Sequence, residues 1–207
     1  MPTTTSRPAH YETADARIDK IVVGPYENNV FILRSKGTGD AVLVDAANEH
    51  ELLLEVCRAT GVRRVLTTHG HFDHIGAVTA VRDAGIDVGI APEDAAMLPA
   101  YDFVIPDEDV IEVGDLRLRT IHTPGHTPGS TCFLLEGHPV VFSGDTLFPG
   151  GPGNTKFENA SFDQIIESID RRLFTLPEDD LVLPGHGLDT TIGTERPHLD
   201  EWIARGW

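Results

Sequence analysis

The chain has 207 residues, of which 40% are hydrophobic, so it can bury a core without disulfides or a structural metal. Its 33 acidic and 16 basic residues give a formal net charge of −17, which would repel a nucleic acid backbone or an anionic membrane surface. No run of eighteen apolar residues occurs, so no membrane-spanning helix is expected. The composition therefore predicts a globular protein whose partner is a small molecule, with no nucleic acid and no membrane as partner.

The N-terminal segment and the cysteines carry no targeting or redox signal. Residues 1–17 lack the charged start and apolar stretch of a secretory signal, which predicts a polar leader and a cytoplasmic protein. Cys57 lies in a predicted helix and Cys132 in a predicted strand, and neither has the spacing of a metal knuckle or a redox pair. We expect two buried thiols in a single domain, 1–207.

The first half of the chain interleaves strands and helices. β-Branched content and turn-type borders predict four strands, at 20–24, 29–35, 41–46 and 63–69. The pattern after the third strand predicts a helix over 48–61 with Asn48 as its N-cap. Two shorter helices are predicted at 76–85 and 92–98.

The second half repeats this arrangement. Strands are predicted at 115–122, 131–136, 139–145 and 181–187. The segment 161–176 has apolar residues at helical spacing, behind a capping box of Ser161 and Gln164. Because strands followed by a helix occur twice, the sequence predicts an α/β protein of two similar halves, with sheets packed face to face and helices outside.

Potential metal ligands collect where the predicted strands end. The stretch "HGHFDH" follows one strand, and single histidines or an aspartate follow three others, in "HTPGHTPGS", "FSGDTLF" and "LPGHG". Such strand exits are where α/β proteins gather their functional side chains. The seven candidate ligands are His69, His71, Asp73, His74, His126, Asp145 and His186.

This set is sufficient for two divalent ions. Imidazole and carboxylate suit zinc above all, with iron or manganese as alternatives, whereas calcium would need oxygen ligands alone. A carboxylate between the ions would hold them at the roughly 3.5–4 Å separation of two-metal hydrolases. The predicted groups are His69, His71 and His126 for one ion and Asp73, His74 and His186 for the other, with Asp145 bridging.

The run His-x-His-x-Asp-His, with "GHTPGS", "SGDTLF" and "PGHG", resembles the metallo-β-lactamase superfamily over nearly the whole chain. This resemblance implies a four-layered αββα sandwich and the two metal sites given above, with Asp73 and Asp145 also serving catalysis. Within the superfamily the chain resembles the short, single-domain glyoxalase II-like hydrolases. Lys156 and Phe157 correspond to a lysine and an aromatic that follow "GDTLF" in those enzymes, although the spacing differs; the alternative is a solvated loop lysine.

The expected reaction is hydrolysis of a small-thiol thioester, such as S-lactoylglutathione, by a water that two ions share. A thiolate leaves readily, so no dedicated general acid is needed. One alternative is a persulfide dioxygenase with a single iron on His71 or His69, together with His126 and Asp145. Lactone or ester hydrolysis and a non-catalytic metal-binding module are the others. The sequence leaves the oligomeric state open.

Overall fold

A computed structural model describes residues 8–206, in which fifteen strands form two large sheets and one small hairpin. The first sheet has seven strands in the order of the sequence. Its first four strands pair antiparallel, and its fourth to seventh pair parallel. The strands are β1 (Tyr11–Glu12), β2 (Ala16–Val23), β3 (Asn28–Ser35), β4 (Ala41–Val44), β5 (Val62–Leu66), β6 (Asp87–Ile90) and β7 (Phe103–Val104).

The second sheet has six strands, and a two-stranded hairpin of β12 (Leu147–Phe148) and β13 (Gly151–Pro152) lies beside it. The six strands are β8 (Val110–Val113), β9 (Leu116–His122), β10 (Thr131–Leu135), β11 (Val140–Gly144), β14 (Leu181–Pro184) and β15 (Thr190–Thr191). Their order is β15-β14-β11-β10-β9-β8, and only β11 and β14 pair parallel. The parallel pair needs a long crossover, which the chain supplies as a helix.

Helices cover the outer faces of both sheets. The α-helices are α1 (His50–Thr60), α2 (Phe72–Ile75), α3 (Val78–Asp83), α4 (Phe162–Ser168), α5 (Ile192–Glu195) and α6 (Leu199–Arg205). Two 3-10 helices span Pro92–Met97 and Arg196–His198, and α4 continues as a π-helical segment over Ile169–Leu173. Within residues 8–206, no helix is both long and apolar enough to cross a bilayer.

Three apolar clusters hold these layers together. The central one lies between the sheets and joins side chains such as Phe31 of β3 to Phe142 of β11, whose ring centroids are 5.4 Å apart. The second packs α1 and α3 against the outer face of the first sheet, and the third packs α4 and α6 against the second. Because both faces of each sheet are covered, a central strand such as β3 is buried along most of its length. The predicted αββα sandwich is thereby confirmed.

Two local predictions differ from the structure. The polar leader predicted for 1–17 overlaps regular structure, because β1 and the start of β2 fall within that range; residues 1–7 lie outside the described part. Asn48 is not the N-cap of α1. Glu49 occupies that position with φ of +49°, and the Asn48 side chain accepts a hydrogen bond from the Glu49 backbone N–H instead. The Ser161 cap is confirmed, since its hydroxyl accepts from the Gln164 N–H.

Candidate metal centre

All seven predicted ligands lie at one edge of the sandwich, each just beyond a strand end. Parallel pairing of β4 with β5, and of β11 with β14, points their carboxyl ends to the same edge. The turn between β9 and β10 brings a further ligand from the second sheet. His69 and His71 follow β5, Asp73 and His74 lie on α2, His126 lies between β9 and β10, Asp145 follows β11, and His186 follows β14.

The side chains assemble in the two predicted groups. We call His69, His71 and His126 the first ligand group; one ligand atom from each lies within 4.8 Å of the others. The His71 Nδ1 and His126 Nε2 atoms are 2.9 Å apart. Two bare ring nitrogens at this distance repel each other unless a proton or a cation lies beside them. In the metal-free protein a proton on the His71 Nδ1 can join them as a hydrogen bond, and a cation bound by both nitrogens would take its place.

The second ligand group is Asp73, His74 and His186, which meet the same distance criterion. The Nε2 atom of His186 lies 3.3 Å from the Asp73 Oδ2 and 3.2 Å from the His74 Nε2. Asp145 stands between the groups. Its Oδ1 is 3.4 Å from the His74 Nε2, and its Oδ2 is 3.5 Å from the His126 Nε2. One carboxylate therefore faces ligands of both groups, as a bridging ligand would.

Hydrogen bonds behind the rings fix which nitrogen faces the centre. The buried Asp45 carboxylate accepts from the His74 Nδ1–H at 2.7 Å and from the Thr68 hydroxyl at 2.8 Å. Since the Thr68 hydroxyl donates to Asp45, its oxygen accepts from the His69 Nδ1–H, 3.1 Å away. When the rings are neutral, the lone pairs on Nε2 of His69 and His74 thus face the centre.

Backbone carbonyls orient two further rings in the same way. The His126 Nδ1–H donates to the Asn154 carbonyl at 2.7 Å, and the His186 Nδ1–H donates to the Tyr26 carbonyl at 2.8 Å. The His69 Nε2 and the Asp145 Oδ1 are buried, yet neither has a hydrogen-bond partner among the described residues. Buried polar atoms left unpaired are costly. A cation at this point would satisfy them, so the residues fit a dinuclear metal site.

Burial and nearby charges shift the histidine pKa values of the two ligand groups in opposite directions. Burial lowers the pKa of all three histidines of the first group, that of His71 to about 4, so their rings are neutral at pH 7. Burial also disfavours charge on His74, but the carboxylates of Asp145 and Asp45 outweigh it and raise its pKa well above 6.5. The pKa of His186 is raised too, against its burial, by Asp73. The first group is thus ready for a metal ion, whereas the second must release protons to bind one.

Two glycines leave the space that Asp145 occupies. A Cβ on Gly185 would lie 2.3 Å from the Asp145 Oδ1 and 2.6 Å from the His74 Cε1. A Cβ on Gly153 would lie 1.8 Å from the Asp145 carbonyl oxygen. Neither distance is compatible with a real side chain. Gly185 therefore leaves room for the shared carboxylate, and Gly153 leaves room for the backbone of the same residue.

Several supporting residues were missed from the sequence. Asp45 follows β4 as a single aspartate, and the only signal it offers is a carboxylate at a strand exit. Asn28 donates its amide to the Asp73 Oδ2 at 3.0 Å. Asp94 is fully buried and accepts from the Gly70 N–H at 2.9 Å and the Thr127 hydroxyl at 2.7 Å, tying the loops of the first group together. No short motif marks Asn28 or Asp94.

The two predicted substrate residues lie beside the first group. The Phe157 ring is exposed, with its centroid 4.7 Å from that of His71 and 5.8 Å from that of His126. Lys156 is exposed and forms no ion pair with any residue in 8–206.

Comparisons with known proteins agree with this geometry. The chain is 31% identical over 179 residues to the hydroxyacylglutathione hydrolase GloC of Haemophilus influenzae, covering 76% of this chain and 84% of that one. The crystal structure of the BLEG-1 B3 metallo-β-lactamase matches with a TM-score of 0.78 at 32% identity, over 87% of this chain and 97% of the other. The crystal structure of ETHE1 from Myxococcus xanthus matches with a TM-score of 0.76 at 30% identity, over 88% and 82%.

The sequence model described as the metallo-β-lactamase superfamily matches residues 23–186, a range that contains all seven candidate ligands. The fold, the ligand groups and this match agree: the chain belongs to the metallo-β-lactamase superfamily.

Proposed function

We propose that this protein is a dinuclear metal-dependent hydrolase of small-thiol thioesters, related in activity to glyoxalase II. The observation that carries the proposal is the Asp145 carboxylate, which faces ligands of both groups while its Oδ1 lacks a partner among the described residues. The likeness to a hydroxyacylglutathione hydrolase over most of both chains supports the substrate class. Zinc is the expected metal, given the imidazole and carboxylate ligands.

The first group would hold one ion and the second group the other, with Asp145 shared. Two such ions supply a water of lowered pKa and polarise the substrate carbonyl. The chain itself holds the nucleophile in place. Asp73 keeps a lowered pKa, despite its burial, through His186 and Asn28, so its carboxylate stays ionised and can accept a hydrogen bond from an attacking water.

The rest of the site fits a thioester substrate, because hydrolysis of a thioester requires little acid catalysis. A thiolate leaves as the anion, and no protonated side chain need be aimed at it. Phe157 offers an apolar surface beside the first group, and Lys156 can pair with an anionic group of the thiol carrier. An amine or alkoxide leaving group would require an acid that the seven ligands do not supply once they are deprotonated.

The test combines metal content with thioester turnover. Protein purified without added metal should carry about two ions per chain and release thiol from an S-acyl thiol. Cys57 and Cys132 are buried, and burial raises the pKa of each to about 11, so a thiol reagent reads the product without background. Asp145→Ala should lower kcat/KM by at least about 100-fold, and Asp40→Ala, on the exposed β3–β4 turn, should not.

Two results would contradict the proposal. Near wild-type turnover by Asp145→Ala would show that the shared carboxylate has no catalytic role. A protein that binds two ions and hydrolyses no thioester would favour a lactone or ester substrate, or a module that binds metal without catalysis.

A persulfide dioxygenase is the second candidate, because His69, His126 and Asp145 could hold a single iron without the second group. The distance of 3.5 Å between the His126 Nε2 and the Asp145 Oδ2 favours such a set. Cys132 cannot contact a substrate in this reaction, since its side chain is fully buried in the cluster under α4. One iron per chain and oxygen uptake with a persulfide would establish this activity over hydrolysis.

A further inference from the structure

Large apolar side chains are exposed at the rim of the metal centre, on the side of the second ligand group. Tyr26 is 56% exposed, Phe72 68% and Leu188 80%. Single exposed apolar residues are ordinary, but a cluster of them beside a polar site marks a binding surface. We call these three residues the apolar rim.

The apolar rim is built from the same segments that carry the ligands. Phe72 lies between His71 and Asp73 in the chain, and its ring stands edge-on to that of Tyr26, with centroids 5.5 Å apart. The Tyr26 carbonyl accepts the hydrogen bond from the His186 Nδ1–H. Anything that contacts these two rings is therefore within reach of the second group.

The third member reaches the rim through backbone pairing. Asn28 and His186 form an isolated antiparallel bridge. Two residues before Asn28 is Tyr26, and two residues after His186 is Leu188. Leu188 therefore lies two residues after a ligand of the second group, beyond a turn at Gly187 with φ of +70°.

The charges on the two sides of the centre differ. Lys156 is exposed beside Phe157 near the first group, where it can pair with an anion. On the apolar rim the nearby Lys20 is already engaged, since its ammonium donates to the Gly187 carbonyl at 2.8 Å and lies 3.3 Å from the Asp189 Oδ1. An anionic carrier is thus favoured on the Lys156 side, which leaves the uncharged part of the substrate for the rim.

We propose that the apolar rim of Tyr26, Phe72 and Leu188 is a subsite for the acyl group, and that the substrates are thioesters with an apolar acyl chain. This inference rests on the proposed thioester hydrolysis. Water leaves the two rings and the leucine when an acyl chain covers them. Each methylene buried in this way should raise the binding constant roughly fourfold.

The test is a series of S-acyl derivatives of one thiol, with acetyl, butanoyl, hexanoyl and octanoyl groups. For the wild type, kcat/KM should rise by up to about fourfold per methylene until the chain extends past the rim. In the double variant Tyr26→Ser, Phe72→Ser this rise should flatten, so the ratio of kcat/KM for the octanoyl substrate to that for the acetyl substrate should fall towards one. Both side chains are exposed, so the variant should fold. Leu52→Ser, an exposed apolar position on α1, is the matched control and should keep the wild-type rise.

The outcomes separate the inference from the proposed function. Hydrolysis that is equally fast for all chain lengths, or a rise that the double variant retains, would overturn the acyl subsite and leave the thioesterase standing. No hydrolysis of any member would overturn both. If the double variant converts a dimer to a monomer and keeps the chain-length dependence, the rim is an interface between two copies instead.

Discussion

Asp45→Asn tests how the protein holds the second ligand group. Asp45 is buried and its carboxylate accepts three hydrogen bonds, from the Thr68 N–H at 2.7 Å, the Thr68 hydroxyl at 2.8 Å and the His74 Nδ1–H at 2.7 Å. Its φ of +63° is in the left-handed region, which asparagine also adopts readily. The substitution therefore keeps the backbone and the shape, and removes the charge and one acceptor oxygen.

The size of the effect follows from those three bonds. An amide oxygen can replace only one carboxylate oxygen, so the new NH2 must face either the Thr68 N–H or the His74 Nδ1–H. A hydrogen bond to a charged group contributes about 1.5–3 kcal/mol, and the loss should lie towards the upper half of that range, about 2–3 kcal/mol. For a chain of this size, that corresponds to a Tm lower by about 4–12 °C. Metal affinity at the second group should fall by about 10–100-fold.

Two measurements check this expectation. Urea unfolding of the metal-free protein gives the loss of stability, and titration with a chelator in competition gives the affinity of each metal equivalent. Asp102→Asn is the control for metal binding: Asp102 also accepts three hydrogen bonds, two from Arg82 and one from the Val88 N–H, but none from a ligand, so its replacement should leave metal binding unchanged. If Asp45→Asn binds both ions as tightly as the wild type, the carboxylate does not position His74 and our account of the second group is wrong.

Three further predictions concern the same centre. Gly185→Ala should displace the Asp145 carboxylate, because the new Cβ would lie 2.3 Å from the Asp145 Oδ1. Elemental analysis should then find a metal content closer to one ion per chain, and a wild-type metal content would contradict this. Asp94→Asn should weaken the first group about 10–100-fold and spare the second, the reverse of Asp45→Asn, as read from stepwise metal titration. Lowering the pH from 8 to 5.5 should release the ion of the second group first, because its histidine pKa values are raised and protons compete for it at higher pH than at the first group, whose histidine pKa values are lowered. Simultaneous loss of both ions in dialysed samples would contradict this.

The sequence predicts those parts of the structure that need apolar residues at regular spacing or ligands close together in the chain. The strands between the sheets are covered on both faces, so they appear as apolar runs, and the amphipathic segment 161–176 appears as a helix. Its continuation as a π-helix over Ile169–Leu173 left no such signature. The ligands were recognisable because several stand within six residues and the rest follow strands beside glycine or proline. Strands of two residues, such as β1 and β7, are too short to show alternation.

The supporting residues were not predictable for a different reason. Asp45 acts on His74 from 29 positions away, and Asp94 acts on the loop of Gly70 from 24 positions away, so each depends on how the sheets are stacked. Where no alternation of apolar and polar residues surrounds an aspartate, the sequence does not show whether its carboxylate is buried or solvated. The same limit applies to Asn48, since the choice of Glu49 as N-cap depends on a left-handed turn that no local motif demands.

The metal ligands set the class of chemistry, and the rim should set the substrate. A relative named as a hydroxyacylglutathione hydrolase and a structure named as a metallo-β-lactamase both resemble this chain over most of its length, so the fold alone does not select a reaction. The ligands have little freedom to differ. Four of the five rings, those of His69, His74, His126 and His186, are fixed by a hydrogen bond on the side away from the centre, and two glycines leave room for Asp145. Tyr26 and Phe72 are less constrained: they are 56% and 68% exposed, and their rings contact each other at the surface. Substrate preference can therefore change at the rim without loss of the metal centre. For this reason the acyl-length series on the Tyr26→Ser, Phe72→Ser variant tells more about the biological role than any substitution of a metal ligand.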